Sequence, residues 1–316
     1  MALRNFRNLL LDRFSLGNFV CVVLDPDWDK IPTCLKSASK ILNAGDSAVG
    51  RTLIGYCMGN VVPTKNVAGA YLIDASCFVK FGVEGRYALG EVVRMIHFVA
   101  PNVPIILDAN IGKNACANIN YAREVFDVLD VDAITVDPTI GMVAMQPFLS
   151  RKDKGVFVSC RTSDEGSGEF QNLRVSISKE EAAVLRSLGV SYSHMVGGEF
   201  KNCYAPMSTH VAHRVAQHWN KNSNCGVVVG TSFPNELQQV RAVVGDIPIL
   251  ITGVGVNGGA IEKPCNVAED GKISNIILNS FRGITGASSG DDYGEVAGKL
   301  ATEMNAKIGA VQQLYL

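Results

Sequence analysis

The chain has 316 residues, 47% of them hydrophobic, and 29 Lys and Arg nearly balance 30 Asp and Glu for a formal net charge of −1. That balance leaves no basic field for nucleic acid, and no apolar run reaches the roughly 18 residues that a membrane helix needs. Nine cysteines, an odd number with no C-x-x-C pair, suit reduced thiols in a cytoplasmic protein better than a disulfide framework or a zinc site.

The first segment, "MALRNFRNLLLDRF", alternates charged and apolar residues as an amphipathic helix does, and lacks the unbroken apolar core of a signal sequence. Eight short apolar runs follow: 19–25, 67–74, 103–109, 132–137, 155–160, 225–230, 247–252 and 275–280. They are apolar throughout rather than alternating, as parallel strands covered on both sides are. Helix-like segments separate them, such as "ACANINYAREVFDVL" after the third run and "PNELQQVRAVV" after the sixth, where Pro234 is placed to open a helix. Eight alternating units predict an α/β fold, a (β/α)8 TIM barrel, as a single domain over 1–316. Two long stretches rich in Gly, Ser and Asn, about 45–66 and 161–204, read as loop insertions or lids.

A barrel of this kind works at the carboxyl ends of its strands. Those ends present Asp25, Asp74, Asp108, Asn110, Lys113, Asp137, Arg161, Ser163, Asn257 and Arg282. "GVGVNGG" (253–259) matches a dinucleotide fingerprint, but six strands precede it where a Rossmann unit would have none. The loops after the seventh and eighth strands commonly hold phosphate in barrels, so the glycines Gly255 and Gly258 and Arg282 read as a phosphate site. His210, His213 and His218 lie on one helical segment with no carboxylate or cysteine at ligand spacing, and read as a solvated helix face, not a metal site. "RTSDEGSGE" has no nearby histidine, which makes Ser163 a ligand-binding hydroxyl rather than a nucleophile.

Together these segments resemble the orotidine 5′-phosphate decarboxylase family, especially its longer bacterial type. "VVLDPDWDKIP" is similar to that family's first strand with its ribose-contacting aspartate, here Asp25, and "GVFVSCRTSDEGSGEFQNL" to its fifth strand, with Ser163 as the serine that touches the pyrimidine. "VVVGTSFPNELQQVRAVVGDIPILITGVGVNGG" and "NIILNSFRGITGASSGDDYGEVAGKLATEM" resemble the last three units, where Arg282 would hold phosphate. The resemblance covers most of the chain. It implies a pyrimidine nucleotide ligand, a homodimer with sites at the subunit boundary, and no cofactor or metal.

At the catalytic positions the sequence departs from the family. The family carries D-x-K-x-x-D after its third strand and a lysine at the end of its second. Aligned without gaps, "DANIGKN" keeps Asp108, puts Asn110 at the central lysine and Lys113 at the second aspartate, while Leu72 takes the strand-two lysine. Ala117 replaces a family threonine, Asn257 a glutamine and Thr252 a proline. In the family the central lysine stabilises the carbanion left by CO2 and returns a proton, and the aspartates hold the lysines and crowd the departing carboxylate. An amide places only a dipole there and delivers no proton at pH 7; losing one such electrostatic group costs about 2.7–4 kcal/mol. The leading expectation is a nucleotide-binding barrel with weak or no decarboxylase activity. Two alternatives stand beside it: an active decarboxylase using Asp108 with Lys113 or Lys80, and different chemistry on a phosphorylated small molecule.

Overall fold

All eight expected strands form. They are β1 (Val20–Leu24), β2 (Ala68–Asp74), β3 (Ile105–Ile111), β4 (Ala133–Val136), β5 (Gly155–Arg161), β9 (Cys225–Gly230), β10 (Ile249–Thr252) and β11 (Ile276–Ser280). Between β5 and β9 lie three further strands, β6 (Arg174–Ile177), β7 (Ser193–Gly197) and β8 (Phe200–Pro206). The computed structural model describes residues 4–41, 48–190, 193–197, 200–253 and 275–313. The eight strands pair in parallel and close into a barrel, β1-β2-β3-β4-β5-β9-β10-β11 and back to β1. The α/β barrel class is therefore observed.

Alternation along each strand sorts side chains between two cores. Cys21, Val23, Ala70, Leu72, Ile106, Ala133, Phe157, Val228, Leu250 and Ile277 pack inside the barrel, whereas Val22, Leu24, Tyr71, Ile73, Leu107 and their counterparts face the helices. The N-terminal helix Phe6–Ser15 plugs the amino end of the barrel. Its Phe6 and Leu10 join the interior core, and the Phe6 ring meets Phe157 edge-on at 5.7 Å. Burial of two such side chains contributes about 1.5–3 kcal/mol each. Ahead of the helix, Arg4 clamps buried Asp132 through Nε (3.0 Å) and Nη2 (2.8 Å), and Asp132 also accepts from the Ile105 backbone N–H.

The expectation of a loop insertion at 45–66 is overturned. Ala48–Thr64 is a helix of 17 residues, and it buries Leu53, Tyr56, Cys57, Met58 and Val61 between β1 and β2 in the chain. Its glycines serve helix packing rather than turns: a Cβ on Gly59 would collide with the Tyr293 ring, and one on Gly294 would collide with the Gly59 carbonyl. The helix Tyr293–Gln313 therefore crosses it at backbone contact, with Tyr56 and Tyr293 stacked 5.4 Å apart. The second stretch, 161–204, is an insertion as expected, but a folded one. β6, β8 and β7 form an antiparallel sheet, accompanied by the helix Lys179–Ser187. Among the described residues no helix is long and apolar enough to cross a membrane.

Candidate active site

Strand periodicity determines what reaches the open end. Two residues beyond the interior side chains Val23, Leu72, Ile106, Ala133, Phe157, Leu250 and Ile277 stand Asp25, Asp74, Asp108, Thr135, Ser159, Thr252 and Asn279. All but Asp25 line a cavity of about 1180 Å³ that also takes in Ser163. Thr135 and Asn279 are not among the strand-end residues that stand out in the sequence. The period-two step from Ala133 and Ile277 was the signal that could have found them.

Three carboxyls gather on neighbouring strands. Asp74 and Asp108 are directly paired in register across β2 and β3, and the Ala75 backbone N–H donates to the Asp108 carbonyl at 3.0 Å. Burial pushes the Asp25 carboxyl up to about 7, opposed by its backbone and Thr285 hydrogen bonds and reinforced by Asp74. Burial also raises Asp108; the Thr135 hydroxyl, donating to Oδ1 at 2.6 Å, pulls it back, and Asp74 adds to the elevation. Asp74 accepts from the Ser76 backbone N–H at 2.8 Å and from the Cys77 thiol at 3.7 Å. Among the described residues the cavity has one cationic side chain, Arg86, on the outer helix Gly82–Val99 and ion-paired with Glu124 at 3.3 Å.

Leu72 does not reach the mouth. It is 2% exposed, one layer down among the interior apolar side chains. Lys113 is exposed in the loop after β3, where Asn118 Oδ1 accepts from its N–H at 3.1 Å. Asn114 caps the following helix Ala115–Arg123 by accepting from the Ala117 N–H at 3.0 Å. Lys80 is exposed as well, its ammonium 5.3 Å from the Phe81 ring centroid. The side chain of Asn110 lies outside the described residues.

Ser163 is held where three strands end. A Cβ on Gly230 would lie 2.6 Å from the Ser163 Cα, and one on Gly253, whose φ is +82°, 3.2 Å from the Ser163 Cβ. Thr231 Oγ1 donates to the Gly253 carbonyl at 2.9 Å. The preceding Thr162 N–H donates to Gln171 Oε1 at 2.9 Å, and Arg161 is buried against Ser167 and Gln171 with its guanidinium 3.5 Å over the Phe233 ring. Arg161 thus fixes the loop that presents Ser163. Asp137 caps the turn Pro138–Ile140, accepting from the Thr139 N–H at 2.8 Å. Gly255, Asn257 and Gly258 lie outside the described residues, as does the side chain of Arg282, whose backbone follows β11 in the turn Phe281–Thr285.

The histidine segment is not the solvated face that the sequence suggested. His213 is 6% exposed and His210 Nδ1 lies 2.8 Å from the Oε1 of buried Glu181. The insertion helix Lys179–Ser187 packs over this segment and supplies Glu181, which sequence spacing could not reveal.

Chemically, the mouth is rich in acceptors, and burial holds the Asp25 and Asp108 carboxyls above the ordinary carboxylate range. Among the described residues it offers no ammonium that could stabilise negative charge developing on a bound ligand.

No protein-family model matches the chain. Curated relatives at 31–32% identity are named orotidine 5′-phosphate decarboxylase. The protein of Janthinobacterium sp. (strain Marseille) is 32% identical over 284 residues, 90% of each chain, and that of Bordetella pertussis 32% identical over 293 residues, 92% of this chain and 93% of that one. Among solved structures, Leishmania donovani OMP decarboxylase is 29% identical with a TM-score of 0.73, covering 98% of this chain and 99% of that one. A Toxoplasma gondii structure described as a putative orotidine-monophosphate-decarboxylase, 24% identical with a TM-score of 0.76, shares the fold.

Proposed function

The chain belongs to the orotidine 5′-phosphate decarboxylase family, and from that membership we propose that it binds a pyrimidine nucleoside 5′-monophosphate of the OMP or UMP type while having weak or no decarboxylase activity. In this reading the phosphate lies at the loops after β10 and β11, near Gly255, Asn257, Gly258 and Arg282. Ser163 meets the pyrimidine, Asp25 the ribose, and C6 of the base faces Asp108. The single domain spans 1–316 and works as a cytoplasmic homodimer, with the loop after β3 at the subunit boundary.

The observation that carries the reading is the occupancy of the interior beneath Asp74 and Asp108. Leu72, a buried hydrocarbon, fills the position from which the family's lysine would rise, and Asp108 takes its hydrogen bond from a neutral hydroxyl, Thr135. Among the described residues a carbanion at C6 would meet carboxyls without a compensating ammonium, so the transition state gains no cationic stabilisation over the ground state. Calorimetric titration with UMP and with ribose 5-phosphate tests the pocket: saturable binding of UMP, tighter than ribose 5-phosphate by tenfold or more, is expected. Absence of UMP binding at millimolar concentration would sink the nucleotide reading.

One observation favours a second reading. Lys113 is exposed and has no ion pair among the described residues, so a partner's copy is free to reach the site across a dimer boundary. In that case the chain is a decarboxylase with a relocated cation, and Lys113→Ala abolishes CO2 release.

A further inference from the structure

The barrel mouth is unbalanced in its hydrogen bonding. Asp25, Asp74 and Asp108 bring three carboxyls to adjacent strand ends, and among the described residues the donors near them are committed: the Thr285 hydroxyl to Asp25, the Thr135 hydroxyl to Asp108, the Ser76 N–H and the Cys77 thiol to Asp74. Asn279 is an independent sign of a missing donor. It stands on β11, the strand beside β1, is 8% exposed, lines the same cavity, and among the described residues its Oδ1 has no hydrogen-bond partner. A buried carbonyl oxygen without a donor is costly and is seldom left so. At the mouth of a cavity, the group that satisfies it arrives with the ligand.

Resting on the nucleotide reading above, we infer that this site selects a nucleoside 5′-monophosphate whose base presents a hydrogen-bond donor, an amine or amidine, toward Asp108, and rejects one that presents a carboxylate there. An amine suits either kind of acceptor at this mouth, because it donates to carboxylate and amide oxygens alike. A carboxylate answers neither: it adds like charge beside Asp74 and Asp108 and leaves Asn279 Oδ1 unpaired. The ligand class thus follows from the charges that the described residues bring to the mouth. It is the inverse of the class a lysine-bearing mouth would prefer.

Three probes that differ only at C6 isolate the effect: 6-aminouridine 5′-monophosphate, UMP and orotidine 5′-phosphate, titrated calorimetrically into the full chain at pH 8. The expected order is amino tightest and carboxylate weakest, each step about tenfold or more. Asp108→Asn, or Asp74→Asn if the first does not fold, is expected to shrink the amino-to-carboxylate spread at least tenfold. Asn279→Ala is expected to weaken the amino probe more than UMP. If UMP binds but orotidine 5′-phosphate binds as well or better, or the amino probe gains nothing over UMP, the selectivity is wrong and the nucleotide pocket stands. If none of the three binds, the nucleotide reading itself falls and takes this inference with it. A spread that the Asp and Asn279 variants leave unchanged would overturn the assignment to these residues.

Discussion

Replacing Leu72 by lysine asks whether the mouth is the vacated seat of an ammonium group. Strands rise about 3.3 Å per residue, so Asp74 lies about 6.6 Å beyond Leu72 along β2, and an extended lysine side chain spans about 6 Å. The new ammonium would rise from the apolar interior to the level of Asp74 and Asp108. Losing the buried leucine costs about 2 kcal/mol and desolvating an ammonium several more. Two carboxylates at about 4 Å return about 4 kcal/mol each at an effective dielectric of 20. The terms nearly cancel, so Leu72→Lys is expected to change unfolding free energy by less than about 2 kcal/mol. Leu250 provides the control. It is 1% exposed in the same interior core, but Thr252 rather than an acid stands two residues beyond it. Leu250→Lys should cost at least about 4 kcal/mol, with no charge to offset desolvation. Urea denaturation at pH 7.5 measures both, and carboxyl NMR titration should show Asp25 falling toward the ordinary carboxylate range in Leu72→Lys. Equal, large losses in the two variants, with Asp25 unmoved, would refute the idea that the acids form a seat for a cation.

Stability should depend on pH through Asp25. Its carboxyl is raised to about 7 in the folded chain, so the fold holds a proton that the unfolded chain has lost, and stability falls as pH climbs from about 4 to 7, by at most about 1.4 kcal/mol per unit. Asp25→Asn should flatten that slope in denaturation experiments across the range; an unchanged slope would move its origin elsewhere. Gly230→Ala drives a Cβ into the Ser163 backbone and should cost about 1–3 kcal/mol in thermal or urea unfolding, with a tenfold or greater loss of UMP affinity by calorimetry. Asn110→Lys alone should raise CO2 release less than about tenfold, because groups that act as a unit do not add. Combined with Leu72→Lys and Lys113→Asp it should raise release by orders of magnitude, and a large rescue by the single change would contradict the account.

The barrel was legible because each strand is a short run of Val, Ile and Leu with no polar face, a pattern that parallel burial on both sides demands. Ala48–Thr64 was not legible as a helix. Its Gly59 reads as a loop residue, and the reason for it, the close crossing by the helix Tyr293–Gln313, lies more than 200 residues away. The same limit hid Glu181 from the reading of His210 and His213. At the site, Asp25, Asp108 and Ser163 could be taken from strand ends. Thr135 and Asn279 required knowing which of two faces points inward, and that becomes plain only when Ala133 and Ile277 are seen in the interior core. The elevated carboxyls depend on burial by several strands at once and have no signature in any single segment.

The most direct test is single-turnover CO2 release from carboxyl-labelled orotidine 5′-phosphate with the intact chain in excess. The account expects release slower than in a lysine-bearing family member by four or more orders of magnitude, in line with the loss of two cationic groups. Release at the rate of such an enzyme would contradict it and would require another cation to complete the mouth above Leu72.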